Sequence, residues 1–191
     1  MSVHSSRAMM NQVTGETTMS NTILVTYASR GGSTTGVAEA IGKTLTESGA
    51  QVEVRPMQDV TDLAPYRAVV AGSAIQGKQW LPEAMQFVQT HQAALTQKPF
   101  AAFLVCVTLT MKNADKYRQF VADFMQPVRA LVQPVSEGLF AGVLDISKIP
   151  SFGDRLKFRL SVVFGVWSEG DHRDWKAIRA WAESIRPLLL K

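Results

Sequence analysis

The apolar pattern of this 191-residue chain predicts an α/β fold: a doubly wound, five-stranded parallel sheet with a helical insertion before its last helix. Three observations carry that prediction. Five short runs rich in Val, Leu, Ala and Phe are spaced along residues 22–146, and segments of helical period follow the first, third, fourth and fifth of them. Most of the runs are apolar throughout instead of alternating, as strands are when helices cover both faces of a sheet. Right-handed crossovers leave few ways to wind such a sheet, and its ligands sit at the carboxyl ends of the strands near the switch point.

The elements follow in order. Residues 22–27, TILVTY, form the first run, and a Ser/Gly/Thr cluster leads from it into TGVAEAIGKTLTESG (35–49). There Val37, Ile41 and Leu45 recur at helical spacing, and Gly49 ends the helix. QVEVRP (51–56) alternates as a strand, and YRAVVAGSA (66–74) is a third, ending in small residues and a loop. LPEAMQFVQTHQAAL (81–95) reads as one helix, with Pro82 in its first turn and Leu81, Ala84, Met85 and Val88 on one face. FAAFLVCVTL (100–109) reads as a fully covered strand, and residues 114–132 as a helix interrupted at Pro127. GLFAGVLDI (138–146) is the fifth strand, and residues 171–190 form a closing helix. Residues 147–170 exceed the ~2–6 residues of an ordinary strand-to-helix link, so an insertion with its own helix is expected there.

The length suits one domain at 21–191, and 46% hydrophobic with 19% charged residues excludes a disordered chain. The first twenty residues are polar and lack the apolar run of a signal peptide; they are expected to form a disordered tail, with Met19 an alternative start. The longest uncharged stretches, 14 residues at 84–97 and 13 each at 17–29 and 99–111, fall short of the ~20 that cross a bilayer. A single cysteine, Cys106, cannot form an internal disulfide, so a cytoplasmic protein is expected. The net charge of +4 is uneven: residues 1–95 hold six basic and seven acidic side chains, residues 96–191 fourteen and nine. Such skew points to an anionic partner, though nothing in it suggests nucleic acid.

Chemistry concentrates in the loop after the first strand, Ser29-Arg30-Gly31-Gly32-Ser33-Thr34. Glycines allow close backbone approach, hydroxyls donate hydrogen bonds, and the helix N-terminus offers free N–H groups to a phosphate. An ordinary strand-to-helix turn capped by Ser33 or Thr34 explains the same residues equally well. Several classes are excluded. The chain has neither G-x-x-x-x-G-K-[ST], nor G-x-G-x-x-G, nor G-x-S-x-G, and His4, His91 and His172 lack metal-ligand spacing.

Residues 22–41, TILVTYASRGGSTTGVAEAI, resemble the opening of flavodoxin-like proteins. GDHRDWKAIRAWAESI (170–185) and AVVAGSAIQGKQWLPEAMQFV (68–88) resemble the flavodoxin-domain family that includes menaquinone-dependent protoporphyrinogen IX dehydrogenase, over roughly residues 22–187. The resemblance implies a strand order 2-1-3-4-5 and FMN bound at the ends of three strands. Ser29, Arg30, Gly31, Gly32, Ser33 and Thr34 match the phosphate loop. Ser73, Ala74, Ile75, Gln76, Gly77 and Lys78 match the segment lining the flavin ring, and Thr108, Leu109 and Thr110 follow the fourth strand, where the family makes its other flavin contacts. Gly31 stands where many flavodoxins have a hydroxyl, and Gly77 and Lys78 are displaced by about one place. Trp80 suits either stacking near the flavin or core packing. Asp171 or Asp174 reads as a helix cap, and Trp175 as core.

The resemblance further implies oxidation of protoporphyrinogen IX, with electrons passing through FMN to a quinone. The missing catalytic triad is compatible with this, because the cofactor carries the redox chemistry. Lys112, Lys116 and Arg118, with Lys148, Arg155, Lys157 and Arg159, are the basic residues placed to meet propionates or anionic headgroups. In the insertion, Leu156, Leu160, Val163, Phe164 and Trp167 fall at helical spacing beside that charge. Such a helix suits peripheral contact with a membrane, here through 154–167 at the inner face, or else the edge of the sheet or a homodimer. One departure bears on the substrate: LTMKNADKYRQF (109–120) omits the long basic loop that enteric dehydrogenases of this family carry after the fourth strand. The alternatives are a flavodoxin-type electron carrier, which a pI near 9.4 fits poorly, and an FMN-dependent quinone or small-molecule reductase. A receiver domain fails because no acidic cluster follows the first strand.

Overall fold

The computed structural model describes residues 21–111, 113–148 and 151–191. The tail expected at 1–20, Lys112 and the Lys148 side chain lie outside the described residues. Strand β1 (Thr22–Ala28) leads into helix α1 (Ser33–Glu47), and β2 (Gln51–Pro56) returns beside β1. β3 (Tyr66–Gln76) turns back through β4 (Gln79–Trp80), followed by α2 (Pro82–Thr90), α3 (Gln92–Thr96) and β5 (Phe100–Cys106). Short helices α4 (Arg118–Ala122) and α5 (Gln126–Arg129) precede β6 (Ser136–Ala141) and β7 (Val143–Leu144). Helix α6 (Phe152–Val163), β8 (Gly170–Asp171) and α7 (Trp175–Leu189) complete the chain.

The main sheet runs β2-β1-β3-β5-β6, all parallel, which is the order 2-1-3-4-5 when its five long strands are counted. Alternate residues of each strand feed two cores. Ile23, Val25, Val70, Phe103 and Phe140 pack under α1 and α7, which contribute Val37, Ile41, Leu45, Ile178, Ala182 and Ile185. Leu24, Val69, Ala71, Phe100 and Leu104 pack under α2 to α5 through Phe87, Val88, Leu95, Val121 and Val128. The first core is tight at its centre. A Cβ on Gly72 would lie 2.0 Å from the Phe103 ring, so the ring lies directly against the β3 backbone.

Several boundaries differ from the sequence reading. β3 does not end at residue 74 but continues to Gln76, where Gly77 and Lys78, both at positive φ (58° and 66°), make a two-residue hairpin turn. The fourth long run stops at Cys106, and residues 107–110 wind into a 3-10 turn. The single helices expected at 81–95 and 114–132 are broken into short pieces, with Pro127 in the first turn of α5. The fifth run bends after Ala141, because Val143 and Leu144 pair antiparallel with Asp171 and Gly170 instead of extending the sheet. The insertion does hold a helix before the last one, as expected.

Candidate functional site

Register places the three predicted segments side by side. Ala28 is opposite Ser73, and Ala74 is opposite Val105, so the loops after β1, β3 and β5 leave the same edge of the sheet at adjacent strands.

The first loop is a cradle. Gly32 adopts φ 83°, a left-handed conformation that disfavours any side chain, and it begins α1 without a side-chain cap. The Ser29 hydroxyl instead accepts the Gly32 N–H at 3.1 Å. The first-turn N–H groups of α1 have no intrahelical partner by geometry, and the helix dipole adds positive potential there. A Cβ at Gly31 or Gly32 would meet no atom within 4 Å, so the loop opens onto free space. Thr34 is fully buried, and its Oγ1 has no hydrogen-bond partner. Arg30 reaches across to Glu83 on α2 at 3.0 Å, beside a cleft of about 260 Å³ lined by Tyr27, Ser29, Thr35, Pro56 and Met57.

The second segment is a rigid hairpin. Ser73 is buried; its hydroxyl donates to the Ala74 carbonyl at 2.7 Å and accepts the Leu81 N–H at 3.0 Å. Its place is to hold the hairpin closed. Ile75 and Gln76 pair with Trp80 and Gln79, and the Lys78 ammonium sits 5.5 Å from the Phe120 ring. Trp80 is buried in the core beneath α2, so it takes the packing reading, with its Nε1 unpartnered. In the third segment Thr108 is partly exposed, Leu109 is buried, and Thr110 Oγ1 donates to the Val107 carbonyl at 2.8 Å. Leu109 also lines a second cleft of about 330 Å³ with Arg118, Leu139, His172 and Trp181 along the free edge of β6.

Sequence reasoning missed the closure over the first loop. Arg173 ion-pairs with Asp171 at 2.6 Å, stacks 4.3 Å from the Trp175 ring, and fills the space above Gly36 on α1. The hydrogen bond from Arg173 holds the Asp171 carboxyl below the usual range. A Cβ on Gly142 would lie 3.3 Å from Ser33 Oγ, so the β6–β7 link packs on the cradle too. Asp174 caps α7 by accepting from the N–H groups of Lys176 and Ala177, whereas Asp171 serves the arginine. The motif 170–175 gave no hint of these contacts, because spacing does not reveal which loop a side chain meets.

A model of the flavodoxin domain matches residues 24–172, most of the chain. The chain belongs to the flavodoxin-domain family. Among solved structures, a flavodoxin from Streptococcus pneumonia TIGR4 superposes with a TM-score of 0.55 at 17% identity, covering 87% of this chain and 98% of that one. A short-chain flavodoxin associated with a bacterial microcompartment gives a TM-score of 0.53 at 17% identity, covering 85% and 94%. At that identity the likeness is one of fold. A comparison with curated proteins finds no match.

FMN is accordingly the cofactor, and the residues present fit its phosphate: a glycine cradle open to a ligand, an uncapped helix N-terminus, and the orphaned Thr34 hydroxyl, which lacks a partner within the protein. Ser29, Ser33 and Thr34 with the α1 N–H groups would hold that phosphate, and the 73–78 and 108–110 segments would flank the ring. Bound there, the flavin supplies one- and two-electron transfer. Among the described residues no His, Cys, Asp and Glu cluster suits a metal, and no helix is long and apolar enough to cross a membrane.

Proposed function

We propose that this flavodoxin-domain protein is an FMN-dependent oxidoreductase that takes an anionic organic reductant at its flavin edge, with protoporphyrinogen IX the leading candidate and a quinone the electron acceptor. The observation that carries this reading is the basic rim beside the second and third segments. Lys78, Lys116 and Arg118 are exposed there, with the half-exposed ring of Phe120 against Lys78. Basic side chains around an apolar ring suit a substrate that is flat, apolar and carboxylated. The sequence likeness of residues 68–88 and 170–185 to protoporphyrinogen dehydrogenases supports the same substrate. In this reading the chain's own residues orient and bind: Lys116 and Arg118 meet carboxylates, while the rigid hairpin holds the ring's surroundings still. Electrons and protons leaving the porphyrinogen in successive two-electron steps would end on successive quinones, each reduced to quinol.

The shallowness of the described clefts, about 260 and 330 Å³, favours a second reading. A one-electron carrier between protein partners needs no deep pocket. The two readings part in one assay. Holoprotein mixed anaerobically with protoporphyrinogen IX and a menaquinone analogue should generate porphyrin fluorescence faster than autoxidation, and Lys116→Gln with Arg118→Gln should raise KM more than it lowers kcat. A rate equal to buffer removes the porphyrinogen reading and leaves the carrier.

A further inference from the structure

Helix α6 is inside out. Most of its large apolar side chains form a stripe facing solvent: Phe152, Leu156, Leu160 and Val163, continued by Phe164, are 79%, 51%, 49%, 79% and 78% exposed. At 100° per residue these positions share one face. The opposite face, where Phe158, Ser161 and Val162 are only partly exposed, is turned to the body, and Phe158 meets the Trp167 ring at 5.6 Å. A helix that covered the sheet would bury its stripe; this one presents it. Isolated exposed apolar residues need no explanation, but a contiguous row of five marks a contact surface.

We propose that α6 is a docking helix for an anionic lipid surface, lying in the plane of the interface with its stripe inserted. Charge selects this occupant. The helix carries three basic residues and one acidic, a net +2. Lys157 borders the stripe on one side and Arg159 on the other, both exposed, while Asp154 lies on the opposite side of the helix. Long basic side chains in those positions reach up to headgroups while their stems cover apolar surface. Lys157 pairs with Asp154 at 3.4 Å, but both groups are exposed and the pair holds the lysine only weakly. The acids on either side of the helix are hydrogen-bonded near their own segments: Asp145 accepts from the Ser147 N–H, Glu169 from the Ile146 N–H, and Asp171 from Arg173. A second copy of the chain fits less well, because a two-fold contact along the stripe would set Lys157 and Arg159 against their own counterparts.

The location adds a consequence that rests on the proposed function. α6 departs after β7 and returns through β8, both at the carboxyl end of the sheet, where the cofactor cradle lies. A protein seated on α6 would therefore hold its flavin end near a lipid-dissolved quinone.

The test uses the full chain, with and without FMN, in sedimentation with vesicles of phosphatidylcholine alone or mixed with phosphatidylglycerol. Binding is expected on the mixed vesicles and should weaken with salt. Leu156→Asn with Leu160→Asn should weaken it at least ~10-fold, and Leu156→Met with Leu160→Met should retain it. Lys157→Gln with Arg159→Gln should cost about tenfold on mixed vesicles and little on phosphatidylcholine. All of these positions are exposed, so thermal melts should not change. Absence of wild-type binding overturns the proposal, as does binding indifferent to the Asn pair. So does a dimer in sedimentation equilibrium that the Asn pair dissolves while vesicles are ignored; that result would assign the stripe to a second copy. Because vesicle binding is read without turnover, it stands or falls apart from the porphyrinogen assay.

Discussion

Thr34→Val separates a cofactor contact from a structural one, because the two roles predict opposite signs. Thr34 Oγ1 is buried without a partner at the second position of α1, while the helix has no side-chain cap. An unsatisfied buried hydroxyl costs ~1–3 kcal/mol of desolvation in the apoprotein. Valine keeps the branched shape and removes the hydroxyl, so apo stability should stay level or rise. At roughly 2–4 °C per kcal/mol for a domain of this size, the rise in Tm is at most ~12 °C. With FMN bound, the same hydroxyl would donate to a charged phosphate, an interaction of ~1.5–3 kcal/mol. Its loss should weaken FMN binding by ~10- to 150-fold. Quenching of FMN fluorescence on titration gives the affinity, and a thermal melt of the apoprotein gives the stability. The half-buried Ser33 is the control: water reaches its hydroxyl, so Ser33→Ala should leave apo stability unchanged. An unchanged FMN affinity in Thr34→Val, or a destabilised apoprotein, would refute the reasoning.

Three further outcomes follow from the fold. Gly72→Ala drives a methyl into the Phe103 ring and should lower stability in urea melts by ~1–3 kcal/mol or more, with Phe103→Leu in the same chain recovering part of the loss. Ser73→Ala removes the acceptor of the buried Leu81 N–H; it should cost ~1–3 kcal/mol and speed hydrogen exchange at Leu81. The third concerns alkaline pH. Burial, and then donation to Glu53 Oε2 at 2.6 Å, push the Tyr66 phenol from 10.0 up to about 12. The fold prefers the neutral phenol, so its contribution is complete below about 10 and is lost as pH rises from there towards 12. Tyr66→Phe should flatten that alkaline decline in chemical denaturation.

Legibility in the sequence tracks how local the cause is. Helix α1 was readable because Val37, Ile41 and Leu45 repeat at the helical period, and all three are fully buried. β2 was readable from strict alternation, and its bounds match. The hairpin at Gly77 and Lys78 was not, since a lysine at positive φ carries no sequence signal. Nor was the bend after Ala141, where Gly142 packs on Ser33 and the next two residues pair with a strand that arrives only at Gly170. Glycines and hydroxyls before a helix were legible at 29–34, but the sequence left a phosphate cradle and an ordinary capped turn equally open there. That Ser73 closes a hairpin and that Arg173 roofs α1 depends on partners eight and 137 positions away in the chain.

The sequence alone determined the fold class of this protein, a doubly wound parallel sheet with an insertion before its last helix. Strand and helix periods are local, and right-handed crossovers leave such strands a handful of arrangements, among which the likeness to flavodoxins singled out the order 2-1-3-4-5. Tertiary structure decided what each polar group has left to offer, because hydrogen-bond satisfaction depends on neighbours the period cannot name. It left the Thr34 hydroxyl without a partner, committed that of Ser73 to a backbone N–H, and turned the apolar stripe of α6 away from the core. An amphipathic period specifies that a helix has an apolar face. Only packing decides whether that face meets the protein or its surroundings.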